Sequence, residues 1–510
     1  MNPITQLLTK SPDHFTKKDL IYFANNQGIE VISLKHVDWS GKLRSIDYVL
    51  RGPEHLQEIL TYGERVDGSS LFPYVAGSNS DLYIIPRYST AMLDPFSETL
   101  TLSFLCSYFD ESGKPFEGAP EFILKKAHES FKRASQGDVM HAMAVLKFYA
   151  ITPVTPTQYD NGHVGEFYQQ SSPFFPHQDF LRDICKSIAS TGCIVKHFCA
   201  ESGTFQRDGQ NYQQMSISLD SRILEDAADQ IIIAKWVIRT AAASKKMLIS
   251  FAPLLSQHEH HPGNTMEMHC RVLRNGKNSL MSTSDGHLNY VAHKLIAGFM
   301  QMGGSITAFG ASTCSSYWRL QRSHGGREKG RGSTSAKEPM VVAWGERNQQ
   351  AFVTVPIAWS FSHANAMASA VNPQETSTAT ERNLAEHQAV VIRAGDSAAH
   401  AYLYLAALAV AASYGQTVAD PQALTERTQL GRGGGLGALA PSSCVPLPSD
   451  ANQAASQLQA ARAIYQSDGI FPAAVIDCVL EELQAVPLLG VSEMITVRGV
   501  EVMQRELHAG

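Results

Sequence analysis

The 510-residue length is too great for one ordinary hydrophobic core and predicts at least two domains, one of them large. A composition of 44% hydrophobic and 18% charged residues with a net charge of −6 is that of an ordinary globular chain, without the basic excess of a nucleic-acid binder. The start, "MNPITQLLTKSPDHF", lacks an apolar core of signal-peptide length, and no stretch nears the roughly 18 uninterrupted apolar residues of a membrane span, so the expectation is a cytoplasmic protein without a membrane partner.

Along the chain, "GIEVISLKHVDWSGKLRSIDYVL" carries two β-rich runs around an "SGK" turn, a hairpin signature, and β character continues to about residue 110. That predicts a small β-rich amino-terminal domain. "EFILKKAHESFKRAS" then reads as an amphipathic helix with Phe122, Ile123, Ala127 and Phe131 on one face. Strands and helices alternate from there to about residue 400, through "AVLKFYAI", "QDFLRDICKSIAST", "QMSISL", "DQIIIAKWVIRTAAAS" and "MLISFAP", the pattern of a large domain of mixed type. Within it "SDGHLNYVAHKLIAGFMQM" aligns Leu288, Val291, Leu295 and Phe299 on one helical stripe. Two glycine-rich segments, 321–339 and 429–443, read as surface loops, the first basic enough to cradle an anion. In "SQHEHHPG", His258, His260 and His261 lack helical i,i+4 spacing and a nearby cysteine pair, which favours an exposed loop over a metal site. The eight cysteines show no CxxC spacing and read as reduced core thiols. The strand "GNTMEMHCRVL" sets Glu267 and His269 on one face, a modest metal pair when read alone.

Several stretches resemble, in order, the glutamine synthetase family. "VDGSS" resembles its FDGSS; "DLYIIPRYSTAMLDPF" and "FDESGKPFEGAPEFILKKA" resemble its "STA..DPF" and "D..G.PF...PR..L..A" runs. "EDAADQIIIAKWVIRTAAASKKMLISFAPLL" resembles "AAD...L.K.V....A...G..ATFMPKP", "ITAFGASTCSSYWRL" resembles "LTA...PTVNSYKRL", and "AWGERNQQAFVTVP" resembles "AYS.RNRSA.IRIP". The series covers nearly the whole chain. It implies an α+β fold: a β-grasp domain over residues 1–115, then a catalytic-type domain over 116–510 with a curved antiparallel sheet and helices. It also implies stacked rings, usually dodecamers, with sites between subunits, and a chemistry that activates glutamate with ATP for attack by ammonia. Divalent cations, Mg²⁺ or Mn²⁺, serve that chemistry by neutralising charge at the reacting oxygens.

Carried over position by position, the resemblance leaves few metal ligands. The family strand "PEPEFF" matches "AVLKFY", so its two carboxylates become Val145 and Lys147. Glu201 in "HFCAESG" retains a ligand; the next falls on Gln214 or Ser216, and another on Val391. "MEMH" matches "MHVH", so Glu267 replaces a metal histidine and His269 retains the histidine near the phosphates. Glu201 and Glu267 are then the only carboxylate ligands, and the Lys147 ammonium is expected to replace a lost cation and pair with one of them.

Arg319, Arg347 and Arg393 match arginines that hold the substrate carboxylate and transferred phosphoryl group, whereas Gln349, Thr354 and Ala389 stand where others would be. Asp67 matches the aspartate that handles ammonium at the neighbouring subunit, although Asp-Gly-Ser-Ser is also turn chemistry. The flap motif "PGYEAP" after Arg319 is replaced by the basic loop, which holds Glu328 and Glu338. The expectation is a homologue that binds a glutamate-like carboxylate or amino acid without the usual metal-dependent ligase chemistry. It would self-associate into rings, with a true glutamine synthetase as a further possible partner. The alternative is an ATP-dependent carboxylate-amine ligase with an altered Mg²⁺ or Mn²⁺ site.

Overall fold

The computed structural model describes residues 2–154, 167–256, 263–281, 287–322, 340–348, 351–357, 361–374, 384–430, 445–490, 493–494 and 496–510. Strands β1 (Val31–Val37), β2 (Leu43–Val49), β3 (Glu64–Asp67), β4 (Asp81–Pro86), β5 (Met92–Leu93) and β6 (Thr101–Phe109) form one sheet in the order β2-β1-β6-β4-β3, with β5 on β6. The hairpin is antiparallel, with Val37 opposite Leu43, and its turn is closed by the Asp38 carboxylate accepting from the Lys42 amide at 3.0 Å. β1 runs parallel to β6, and the helix Pro53–Tyr62 buries Leu56, Ile59 and Leu60. This is the β-grasp unit.

The helix Pro120–Ala134 leads into a larger sheet. Its buried face carries Ile123, Leu124, Ala127, His128 and Phe131, while Phe122 stays half-buried. The sheet contains β7 (Val139–Pro153), β8 (Val195–Ala200), β9 (Phe205–Arg207), β10 (Gln210–Leu219), β11 (Arg222–Ile223), β12 (Leu248–Ser250), β13 (Met266–Arg274), β14 (Lys277–Asn278), β15 (Trp344–Glu346), β16 (Val353–Val355) and β17 (Val390–Ile392). Its main path is β15-β16-β17-β13-β7-β10-β8, antiparallel except between β15 and β16.

Alternation gives this sheet one dry face. Met140, Ala142, Ala144, Leu146, Phe148 and Ala150 of β7 and Met266, Met268, Cys270 and Val272 of β13 are buried beneath helices. The alanines let those helices approach closely. The helix Tyr290–Gly310 starts one residue after the Asn289 cap, so Leu288 precedes the stripe that Leu295 and Phe299 bury. It crosses the almost wholly buried helix Ala401–Gly415 where Gly298 faces the Ala411 carbonyl; a Cβ there would sit 2.1 Å from that oxygen.

Long-range contacts hold the two units and the last residues of the chain in place. Arg87, just after β4, makes a bidentate pair with Asp229 of the helix Leu224–Ser244 at 2.7 and 2.9 Å, and Tyr402 Oη donates to the same carboxylate at 2.6 Å. The last residues fold back: Glu506 accepts from the Cys314 and Ser315 amides at 2.9 and 3.1 Å, capping the helix Cys314–Arg322. Leu489, Met494, Val502 and Met503 join Trp318, Tyr149 and Tyr212 in a separate hydrophobic cluster. No helix among the described residues is long and apolar enough to cross a membrane.

Candidate functional site

The other face of the larger sheet is polar because the same alternation that buries the even residues of β7 turns Val145 and Lys147 outward. Paired residues on neighbouring strands share a face, so the register fixes the membership. Glu267 lies opposite Val145, and His269 opposite both Met143 and Val391. Ser216 lies opposite Lys147 and Cys199, and Ser218 opposite Val145 and His197. Glu201 follows β8, with its amide donating to the Gln214 carbonyl at 2.9 Å.

Among the described residues two ion pairs cross this face. Lys147 Nζ donates to Glu201 Oε2 at 3.1 Å, with the two side chains 16% and 7% exposed. Burial opposes the Lys147 charge, yet Glu201 and Glu267 outweigh it and hold the lysine above its ordinary pKa. Arg393 Nη2 donates to Glu267 Oε1 at 3.4 Å. Burial pushes the Glu267 carboxyl up, but Arg393 and Lys147 prevail and bring it to about 2. Burial lowers His269 to about 4, leaving a neutral imidazole, and its Nε2 has no hydrogen-bond partner among the described residues.

Arg319 closes one wall. It rides on the helix Cys314–Arg322, is buried, and donates to the Ala394 carbonyl beside Arg393. The approach is tight because residue 263 is glycine; a Cβ there would lie 2.2 Å from the Pro253 carbonyl and 2.7 Å from Arg319 Cδ. Asp396 is buried nearby, its carboxyl raised by burial against the pull of Arg319, and its Oδ1 accepts from the Ala398 amide at 3.0 Å. No family motif flagged Asp396. Its only sequence signal was an acidic residue after glycine in "RAGDSAAH".

The fold therefore brings Lys147, Glu201, Glu267, His269, Arg319 and Arg393 to one region. Of the two positions Gln214 and Ser216, both face it. The Gln214 side chain is spent on scaffold: it accepts from the Gly203 amide at 2.9 Å and donates to Asn264 Oδ1 at 2.9 Å. Ser216 Oγ sits 3.4 Å from Cys199 Sγ. Arg347 is exposed just past β15 in a left-handed conformation, φ 54°, its amide donating to Val355 O at 2.9 Å. Asp67 lies in the first sheet, where its carboxylate accepts from the Ser69 amide and hydroxyl at 3.0 and 2.7 Å and from Ser70 Oγ at 2.6 Å. Those bonds, Ser70 first, hold the carboxyl far below the usual range. Neither Asp67 nor Arg347 has a described contact with the other six. His258, His260, His261, Glu328, Glu338, Gln349, Cys444 and most of both glycine-rich loops, 323–339 and 431–443, lie outside the described residues.

These side chains do not fit a pair of hard divalent cations. Among the described residues no group of three or more His, Cys, Asp or Glu is placed to hold a metal. Val145 and Val391 present hydrocarbon, and Lys147 Nζ occupies the oxygen of Glu201 that a cation would need at roughly 2.0–2.1 Å. What the face can do is bind a zwitterion: guanidinium groups suit a carboxylate, and Glu201 and Glu267 suit an ammonium.

Comparison with known proteins accords with this architecture. Residues 116–477 match the family profile "Glutamine synthetase, catalytic domain", and residues 28–111 match "Glutamine synthetase, beta-Grasp domain". Glutamine synthetase of Aquifex aeolicus (strain VF5) is 23% identical over 367 residues, covering 67% of this chain and 73% of that protein. The structure of Plasmodium falciparum glutamine synthetase superposes with a TM-score of 0.71 at 15% identity, over 92% of this chain and 95% of that one. GmaS in its apo form gives 0.67 at 17% identity, over 94% and 99%. With both domains matched, and the larger match spanning well over half its length, the chain belongs to the glutamine synthetase family.

Proposed function

We propose that this chain is a ligand-binding member of the family that has lost metal-dependent ATP ligase chemistry. The observation that carries the reading is the Lys147–Glu201 ion pair at 3.1 Å, a fixed cation on the strand that in the family carries ligand carboxylates. Its ligand is a glutamate-like carboxylate or amino acid. Arg319 and Arg393 hold the carboxylate, Glu267 and Glu201 receive the ammonium, and His269 offers a neutral imidazole as a further hydrogen-bonding group. We place the domain boundary near residue 115, between β6 and the helix Pro120–Ala134. The working form is a cytoplasmic ring, as large as a dodecamer, acting in nitrogen metabolism. In that ring Asp67 completes the site of a neighbouring subunit, Arg347 joins the arginines that hold substrate, and a true glutamine synthetase is a candidate companion.

The test is a screen of amino acids and amines for ADP release from ATP, with Mg²⁺ and Mn²⁺ varied, alongside direct measurement of glutamate binding in EDTA. The expected result is metal-independent binding with no ADP. Robust metal-dependent turnover would overturn the reading in favour of an ATP-dependent carboxylate-amine ligase with an altered Mg²⁺ or Mn²⁺ site.

A further inference from the structure

Away from the polar face, three helices end together. The last turns of the helices Pro120–Ala134, Ala401–Gly415 and Ala451–Tyr465 enclose, with the turn Ser467–Gly469, a cleft of about 660 Å³, a size that suits a small molecule. Val410 and Ile470, each 2% exposed, line it with hydrocarbon, and Tyr414 adds a half-buried ring. The small side chains of Ala134 and Ala463 leave its mouth open. The cleft is remote from the candidate site: Asp396 precedes the start of the helix Ala401–Gly415, and its 15 residues at 1.5 Å each put the cleft roughly 22 Å further along.

Among the described residues, Arg133 and Asp468 are the only charged side chains that line this cleft. They meet at 3.1 Å, Nη2 to Oδ2, with the two side chains 62% and 60% exposed. An ion pair so open to water is worth little and exchanges readily. Ser130 Oγ, from a buried residue, donates to the same carboxylate oxygen at 3.5 Å. Lys132, in the last turn of the first helix, does not line the cleft and pairs with Glu129 at 2.9 Å. The two formal charges therefore cancel, and the sign of the cleft is set by the three helix ends, each carrying roughly half a negative charge. An apolar interior, an aromatic wall and a negative surround complement an organic cation and oppose an anion.

We propose that this cleft binds a primary ammonium ion carried on an apolar body. The ammonium takes the place of Arg133 at the Asp468 carboxylate, while the body lies against Val410 and Ile470 and the charge is within reach of the Tyr414 ring face. The hydroxyls of Ser413 and Thr417, also in the lining, offer further acceptors. The inference does not rest on the carboxylate reading, since none of Lys147, Glu201, Glu267, Arg319 and Arg393 takes part.

The probes are 2-phenylethylammonium and 3-phenylpropionate, which share an apolar body and differ in charge, titrated calorimetrically into the full-length protein. Saturable binding of the cation alone is expected. Asp468→Asn should weaken it at least tenfold; asparagine tolerates the left-handed conformation of residue 468, φ 52°, so the turn is kept. Arg133→Gln removes the competing guanidinium and should tighten binding, by up to about fivefold for an exposed pair of this kind. Ala463→Trp, on an exposed position, fills the cleft and should abolish binding. All three positions are exposed, so failure of one variant to fold leaves the other two to decide. No saturable binding of the cation, equal binding of the anion, or unchanged or weaker binding in Arg133→Gln overturns the proposal. So does unchanged affinity in Asp468→Asn, the result expected if Glu201 or Glu267 took the ammonium instead. Glutamate binding measured on the same samples reports separately on the carboxylate site, which these substitutions leave in place.

Discussion

Replacing Lys147 by methionine keeps an unbranched side chain of similar volume, one atom shorter, and removes the ammonium, leaving Glu201 buried without its partner. At 3.1 Å and an effective dielectric near 20 the gross attraction is about 5 kcal/mol. Part of that is offset because the lysine no longer has to be desolvated, and measured losses from breaking one side of a buried pair run at about 3–5 kcal/mol. With both side chains retaining slight exposure, the lower end applies, and Lys147→Met is expected to cost about 3 kcal/mol. Urea unfolding followed by tryptophan emission measures it, since Trp318 and Trp344 are both buried in the larger domain. The double variant Lys147→Met/Glu201→Gln removes both charges and should recover all but about 1 kcal/mol, because a neutral pair carries no orphan charge. In Lys147→Glu, Mn²⁺ at a hundred times its dissociation constant should add about 2.7 kcal/mol, through a third carboxylate beside Glu201 and Glu267. If Lys147→Met unfolds within about 0.5 kcal/mol of the parent, the ion pair does not hold the site and the reasoning fails.

Three further outcomes follow from other contacts. Arg87→Met leaves Asp229 and the Tyr402 hydroxyl facing an apolar chain; a loss of about 3–5 kcal/mol is expected, with separate calorimetric transitions for the two domains. Glu506→Gln weakens a charged cap on the helix that carries Arg319, costing about 1 kcal/mol and speeding hydrogen exchange at the Cys314 and Ser315 amides. Glu121 is pushed up by burial to about 7 from the ordinary 4.5, so between those values the folded chain holds a proton that the unfolded chain releases. Stability therefore falls as pH rises from 4.5 to 7, by at most about 3 kcal/mol, and Glu121→Gln should flatten that slope in urea titrations across the window.

Much of the site was legible because a strand has a period of two. Once "AVLKFY" and "MEMH" are read as strands, Val145 must share a face with Lys147 and Glu267 with His269, and the register places both pairs on the same side of the sheet. The choice of Glu201 over Glu267 as the Lys147 partner was not legible, since it depends on where β8 ends relative to β10. Glu506 lies 192 residues from the helix it caps, beyond any local signal. Gln214 and Ser216 remained equivalent in the sequence because both face the site; only the tertiary contacts of Gln214 with Gly203 and Asn264 separate them. The mixed pattern of strands and helices gave the content of the larger domain, while its antiparallel order comes from pairings between strands far apart in the chain.

The charge on the site face has a consequence for any cation that approaches it. Lys147, Arg393 and Arg319 stand against Glu201, Glu267 and Asp396, so this region sums to zero before any ligand arrives. A divalent ion 4 Å from the Lys147 ammonium would meet a repulsion of about 8 kcal/mol at an effective dielectric of 20, cancelling the attraction that one carboxylate returns at similar range. Proton loss from Lys147 would relieve that repulsion, but Glu201 and Glu267 act against it by raising the lysine's pKa. The two carboxylates that resemble remnants of a metal site are thus the groups that keep the competing cation charged. A single reversion at position 391 or 216 therefore leaves the obstacle in place, whereas a change at Lys147 removes a positive charge and frees both glutamates in one step.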